Sequence, residues 1–191
     1  MYFLRLLLTA ATPLLQSRNS AVVVAVVNLF IDLAPAQELT LIVAPLVALA
    51  TCERRETKFL SMQLLQQLTH DQPHLVAPYV KNFAVFWADP EPLALLKVQT
   101  LAAIAIGASG CAHQIVRELE TLSTWDRPVL AASAVKALGI IACKSDLAQL
   151  CLPKLLCLLN DPRELVSGRF KRKYTKFKVP LKAKQLSQFE N

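Results

Sequence analysis

Glycine is scarce in this chain of 191 residues: four, against eleven prolines. Nucleotide-binding loops and tight β-turns both place glycine where the backbone needs positive φ or a close approach. So few glycines argue against a Rossmann-type enzyme and against a β-rich fold. Aromatic residues make up only 7% of the chain, so Leu, Ala and Val carry its 54% apolar content. That mixture suits packed helices better than strands. Five cysteines stand at 52, 111, 143, 151 and 157, with no CxxC. An odd count without that spacing is neither a disulfide framework nor a zinc signature, and it implies reduced thiols in the cytosol.

Long apolar runs are also missing. The run Ala21 to Phe30 is ten residues and contains Asn28. A membrane span needs about 20 consecutive apolar residues. The opening MYFLRLLLTAATP has a short apolar core like that of a signal peptide, but Arg5 sits inside it and Thr12-Pro13 follows. A basic segment ahead of the apolar core is lacking, so a secretion leader is not expected.

What the chain does have is a repeat. Ser17, Glu53, Asp89, Asp126 and Asp161 precede apolar runs at steps of 36, 36, 37 and 35 residues. Six residues past the first four of them stand Val23, Phe59, Leu95 and Ala132. Nine residues past stand Val26, Met62, Val98 and Val135, and twelve past, Leu29, Leu65, Leu101 and Leu138. These offsets share one helix face, because three residues make slightly less than a turn. The other positions of these helices are mixed: Lys58, Gln63, Gln67, Lys97, Gln99 and Lys136. Further helices are expected between them, at Leu39–Ala50, His74–Phe86, Cys111–Leu122 and Leu147–Leu159. Several of these first helices carry an internal proline, at Pro13, Pro45, Pro78 and Pro153. Proline removes a backbone donor and kinks or restarts a helix. A kinked first helix and a straight second helix, repeated at this period, is the HEAT and armadillo pattern at its short end. The expected fold is all-α: a right-handed α-solenoid of about four and a half helix pairs. Asp89-Pro90, Asp126-Arg127-Pro128 and Asp161-Pro162 each offer an N-cap carboxylate just ahead of a first-turn proline.

The fifth unit starts and then fails. Gly168 interrupts it, and Lys173 falls where the next apolar residue should be. Residues 168–191 hold eight basic residues and one acid, while residues 1–167 hold thirteen of each. The net charge of +7 therefore belongs to the tail and not to the body. Two domains are expected: a solenoid over 1–167 and a basic, disordered tail over 168–191. So abrupt a change also fits a retained intron or a misassigned exon. The functional alternative is a nuclear signal or a phosphate-binding arm, KRKYTKFK, with Tyr174 and Phe177 interleaved.

The search for chemistry finds little. GxxxxGK, GxGxxG, HExxH and GxSxG are all absent. Ile106 to Gly110 reads as a small-residue turn, since no Lys-Ser/Thr follows it. His70 and His74 are spaced like zinc ligands, but Pro73 between them predicts a turn. Cys143, Cys151 and Cys157 are expected as buried thiols of a helical core. Glu118 and Glu120 lie two apart and so point to different faces. Trp125 is expected to anchor a turn, and Trp87 to pack between repeats. No catalytic, cofactor-binding or metal residue is expected.

The segment TPLLQSRNSAVVVAVVNLF resembles the trunk of a β-adaptin, the large subunit of heterotetrameric adaptor complexes. The PLLQSRN-x-AVV pattern is most like the β subunit of adaptor protein complex 3. PYVKNFAVFWADPEPLALLKVQTL resembles the next landmark of that family, and VKALGIIA and LPKLLCLLND stand where its later helices should be. The resemblance covers roughly residues 4 to 167; the basic tail is outside it. It implies an internal piece of the trunk, without its start, hinge or ear. It also implies a non-enzymatic coat component, cytoplasmic and peripheral on Golgi or endosomal membranes, which sorts cargo to lysosome or vacuole. The implied partners are a second large adaptin and the medium and small chains, with no nucleic acid bound by 1–167. Another HEAT-type scaffold or transport receptor remains the alternative, as does a nucleic-acid-binding protein acting through the tail.

Overall fold

A computed structural model describes residues 2–52, 54–143 and 147–159. The expected fifth-unit turn at Asp161 and the basic tail lie outside them. Among the described residues all regular structure is helical.

The helices come in pairs. In the first pair, α1 (Tyr2–Ala11) runs into a 3-10 stretch, Thr12–Gln16, and α2 (Ser20–Leu33) follows. The second pair is α3 (Thr40–Ala50) and α4 (Arg55–Asp71). The third has one α-helical turn, α5 (Pro73–Val76), a 3-10 stretch at Ala77–Phe83, and then α6 (Glu91–Gly107). The fourth is α7 (Ala112–Ser123) and α8 (Pro128–Ala142), and α9 (Ala148–Leu159) opens the next. The second helices begin at Ser20, Arg55, Glu91 and Pro128, steps of 35, 36 and 37 residues. They form one layer, α2 on α4, α4 on α6 and α6 on α8, against which the first helices pack. This is the all-α, paired-helix architecture of a solenoid.

Proline sets where the first helices weaken. Pro13 and Pro78 each stand at the start of a 3-10 stretch. Pro45 and Pro153 sit inside α3 and α9, which continue past them. A single missing N–H is tolerated in a helix whose apolar faces are well packed, though the ring still crowds the preceding turn. The third first-helix departs furthest from expectation. His74–Phe86 is not one helix: α-helical hydrogen bonding ends at Val76 and helical structure of any kind at Phe83. Pro78, near the middle of that stretch, has no N–H to continue the ladder.

A single core runs through all the pairs. Val26, Met62, Val98 and Val135 are buried, as are Leu65, Leu101 and Leu138, while Leu29 is partly covered. Val23 is buried, but Phe59, Leu95 and Ala132 are only partly buried, at the edge of the stripe. Gly107 ends α6 against the ring of Pro73, so closely that a β-carbon would overlap the ring carbons. The turn at Ile106–Gly110 is thus the place where α6 meets the start of its own pair.

Candidate functional site

No group of three or more His, Cys, Asp or Glu side chains is placed to hold a metal ion among the described residues. His70 pairs only with its neighbour Asp71, at 3.4 Å, on the surface. Glu118 and Glu120 do diverge: Glu118 accepts from the Val85 N–H, and Glu120 pairs with Lys154 of α9 at 2.7 Å.

The densest polar constellation lies in the segment Ala84–Pro90, which links the 3-10 stretch to α6. This strap is not held by ladder bonds. Lys97, inside α6, donates to the carbonyl of Ala84 at 2.9 Å and to Asp89 Oδ2 at 2.7 Å. The same carboxylate oxygen accepts from the Phe86 N–H at 2.9 Å. Lys97 and Asp89 are 4% and 9% exposed. The ammonium also lies 5.1 Å from the centre of the Phe86 ring, within cation–π range. From α7, Glu118 Oε1 accepts from Val85 N–H at 3.2 Å. From the start of α8, Arg127 Nη1 donates to the Asp89 carbonyl at 3.2 Å. Trp87 packs on Trp125, ring centres 5.4 Å apart and tilted by 55°.

Two sequence expectations are corrected here. Asp89 is not the N-cap of α6; Pro90 takes that position, and no side chain caps the helix. The carboxylate instead turns inward, onto the Lys97 ammonium and the Phe86 N–H. Asp126 likewise lies one residue ahead of the α8 N-cap, Arg127, and is exposed. The real side-chain cap is Asn19, whose Oδ1 accepts from the Ala21 N–H at 3.0 Å at the start of α2. Second, Lys97 is not on a mixed surface face. It follows Leu93 and precedes Leu101 by four residues each, on the inner stripe of α6, and that spacing was the signal for it.

Burial pushes the Glu118 carboxyl up from its ordinary value, opposed by the Val85 N–H and the charge of Lys97. Burial also raises the Cys151 thiol to about 11. Cys143 is exposed at the end of α8, not buried as expected; Cys52 and Cys111 are half-buried. The side chain of Cys157 lies outside the described set.

Beside the strap a cleft of about 720 Å³ opens between it and the first turns of α4. Arg55, Glu56 and Lys58 stand on one wall, and Phe59, Phe86, Pro90 and Leu93 are among the residues that line the rest. Phe86, in the cleft wall, and its neighbour Trp87 are 61% and 62% exposed. No single helix among the described residues is long and apolar enough to cross a membrane.

Paired helices repeated on one continuous core define a helical-repeat protein. The sequence model for the adaptin N-terminal region matches residues 4–173. The chain belongs to that family. It is 32% identical over 163 residues to the human AP-3 complex subunit beta-1, which covers 85% of this chain and 15% of the relative. It is 28% identical over 165 residues to the AP-3 complex subunit beta of Dictyostelium discoideum, covering 85% and 14%. It is 30% identical over 167 residues to the AP3-complex subunit beta-A of Arabidopsis thaliana, covering 87% and 16%. The chain thus spans about 15% of the length of the curated relatives it matches.

Proposed function

We propose that this chain is a segment of the β trunk of an AP-3-type adaptor complex, a non-enzymatic part of a vesicle coat. One observation carries the reading: β subunits of AP-3 complexes from animals, an amoeba and a plant align with 85–87% of the chain. The paired-helix fold is consistent with it, because a solenoid offers extended surface for other subunits.

On this reading the chain works in the cytoplasm, on Golgi or endosomal membranes, in sorting cargo towards lysosome or vacuole. Its partners are a second large adaptin and the medium and small chains, and its membrane association runs through the complex. Residues 1–167 have no role with nucleic acid. The twelve residues of the three repeat columns, Val23 to Leu138, hold the helix pairs in register.

The test is co-purification. The full chain is tagged, expressed in its source cells, and its partners are identified by mass spectrometry. Recovery of a second large adaptin with medium and small chains is the expected result. A stable partner outside any adaptor complex, or chaperones alone, would overturn the reading. Salt-dependent nucleic-acid binding that is lost on deleting 168–191 would favour the tail instead.

A further inference from the structure

The layer of first helices is weakest at the third pair. There, α1, α3 and α7 have 10, 11 and 12 residues, but the third pair has one α-helical turn of 4 and a 3-10 stretch of 7. Hydrogen bonds in a 3-10 helix are poorly aligned, and such a stretch inside a helical layer often marks a hinge. The strap that follows is tied down mainly by side chains from three helices: Lys97 of α6, Glu118 of α7 and Arg127 at the start of α8. The layer of second helices is unbroken alongside, with α4, α6 and α8 of 17, 17 and 15 residues.

A buried ion pair is a costly way to fasten a loop, since desolvation offsets much of the attraction. Its best-attested use is to select one geometry among several. Lys97 makes that selection here: one ammonium binds both ends of the strap, the Ala84 carbonyl and the Asp89 carboxylate. We propose that the third helix pair is the flexing point of this solenoid and that Lys97 is the pin that holds it closed. With the pin in place, the strap ties α6, α7 and the start of α8 into one block. With the pin out, the strap lifts and the first-helix layer opens between Phe83 and α7, while the second-helix layer acts as the hinge side. Opening bares Phe83 and Val85, both buried, so the closed form is the resting one.

Hydrogen-exchange mass spectrometry on the full chain tests this, with wild type, Lys97→Met and Arg127→Ala. In Lys97→Met, peptides within 77–90 gain on the order of tenfold or more in exchange rate over and above any gain of those within Arg55–Asp71 and Pro128–Ala142, which report the global loss of stability. Arg127→Ala removes one tie at the rim without stranding a buried charge, and gives the same pattern at smaller size. Uniform acceleration of every peptide in both variants would overturn the proposal, because the strap would then open only with the whole molecule. Unchanged exchange within 77–90 would overturn it too. If Lys97→Met does not fold, Arg127→Ala decides alone by the same criteria.

Discussion

Lys97 Nζ lies 2.7 Å from Asp89 Oδ2, and both side chains are sealed from water by α6 and the strap before it. Removing either partner strands the other charge. Lys97→Met and Asp89→Asn are each expected to lose about 3–5 kcal/mol of unfolding free energy. The double variant is expected to lose clearly less than the sum. Urea titrations of the four proteins measure this, and strict additivity would mean that the pair is not coupled.

Gly107 has no room for a side chain. In an open helix, Gly→Ala stabilises by about 1 kcal/mol. Here the new methyl would overlap the ring of Pro73. Overpacking of this kind costs about 1–3 kcal/mol, so Gly107→Ala should lower the melting temperature. A rise would show that α5 moves away freely.

Glu118 should give a pH-dependent signature. Its folded pKa is raised above 4.5, so its contribution to stability is full below that value and is lost as pH rises through the folded pKa. Glu118→Gln keeps an oxygen for the Val85 N–H and carries no charge. The variant should be more stable than wild type at pH 7, and the gap should close as pH falls below 4.5. Denaturation at a series of pH values measures the gap; a gap that widens in acid would reverse the assignment.

The thiols should separate by rate. Cys143 is exposed, and Cys151 is buried with its pKa raised to about 11. At pH 8 a maleimide should label Cys143 first and Cys151 only on unfolding, since the thiolate is the reactive form. Peptide mapping over a time course distinguishes the two sites.

The repeat columns should differ in weight. Leu101 is fully buried, whereas Leu95 is partly buried. Leu101→Ala should cost about 2–5 kcal/mol. Leu95→Ala should cost well under half of that, as read in the same urea experiment.

The second helices were legible from sequence because one apolar face repeats at a nearly fixed period, and α2, α4, α6 and α8 follow it. The first helices were legible where proline stayed inside a packed helix, as at Pro45. They were not at Pro78, where a missing donor turned the expected His74–Phe86 helix into a turn of α-helix, a 3-10 stretch and the strap. The strap's chemistry was hidden for a different reason. Asp89-Pro90 has the composition of a helix cap, and only the tertiary placement of Lys97, eight residues on, draws the carboxylate inward. Glu118 on Val85 and Arg127 on Asp89 join residues 33 and 38 apart in sequence, a separation no local pattern encodes.

The two tryptophans of this chain are Trp87 and Trp125, and they touch. All indole absorption and emission therefore arises at a single joint, where the strap of the third pair meets the turn of the fourth. Two rings at this distance and tilt also couple electronically. Fluorescence excited in the indole band alone, and the indole part of the near-ultraviolet dichroism, accordingly form a local gauge, silent about α1 to α4 and sensitive to any slip between these two pairs.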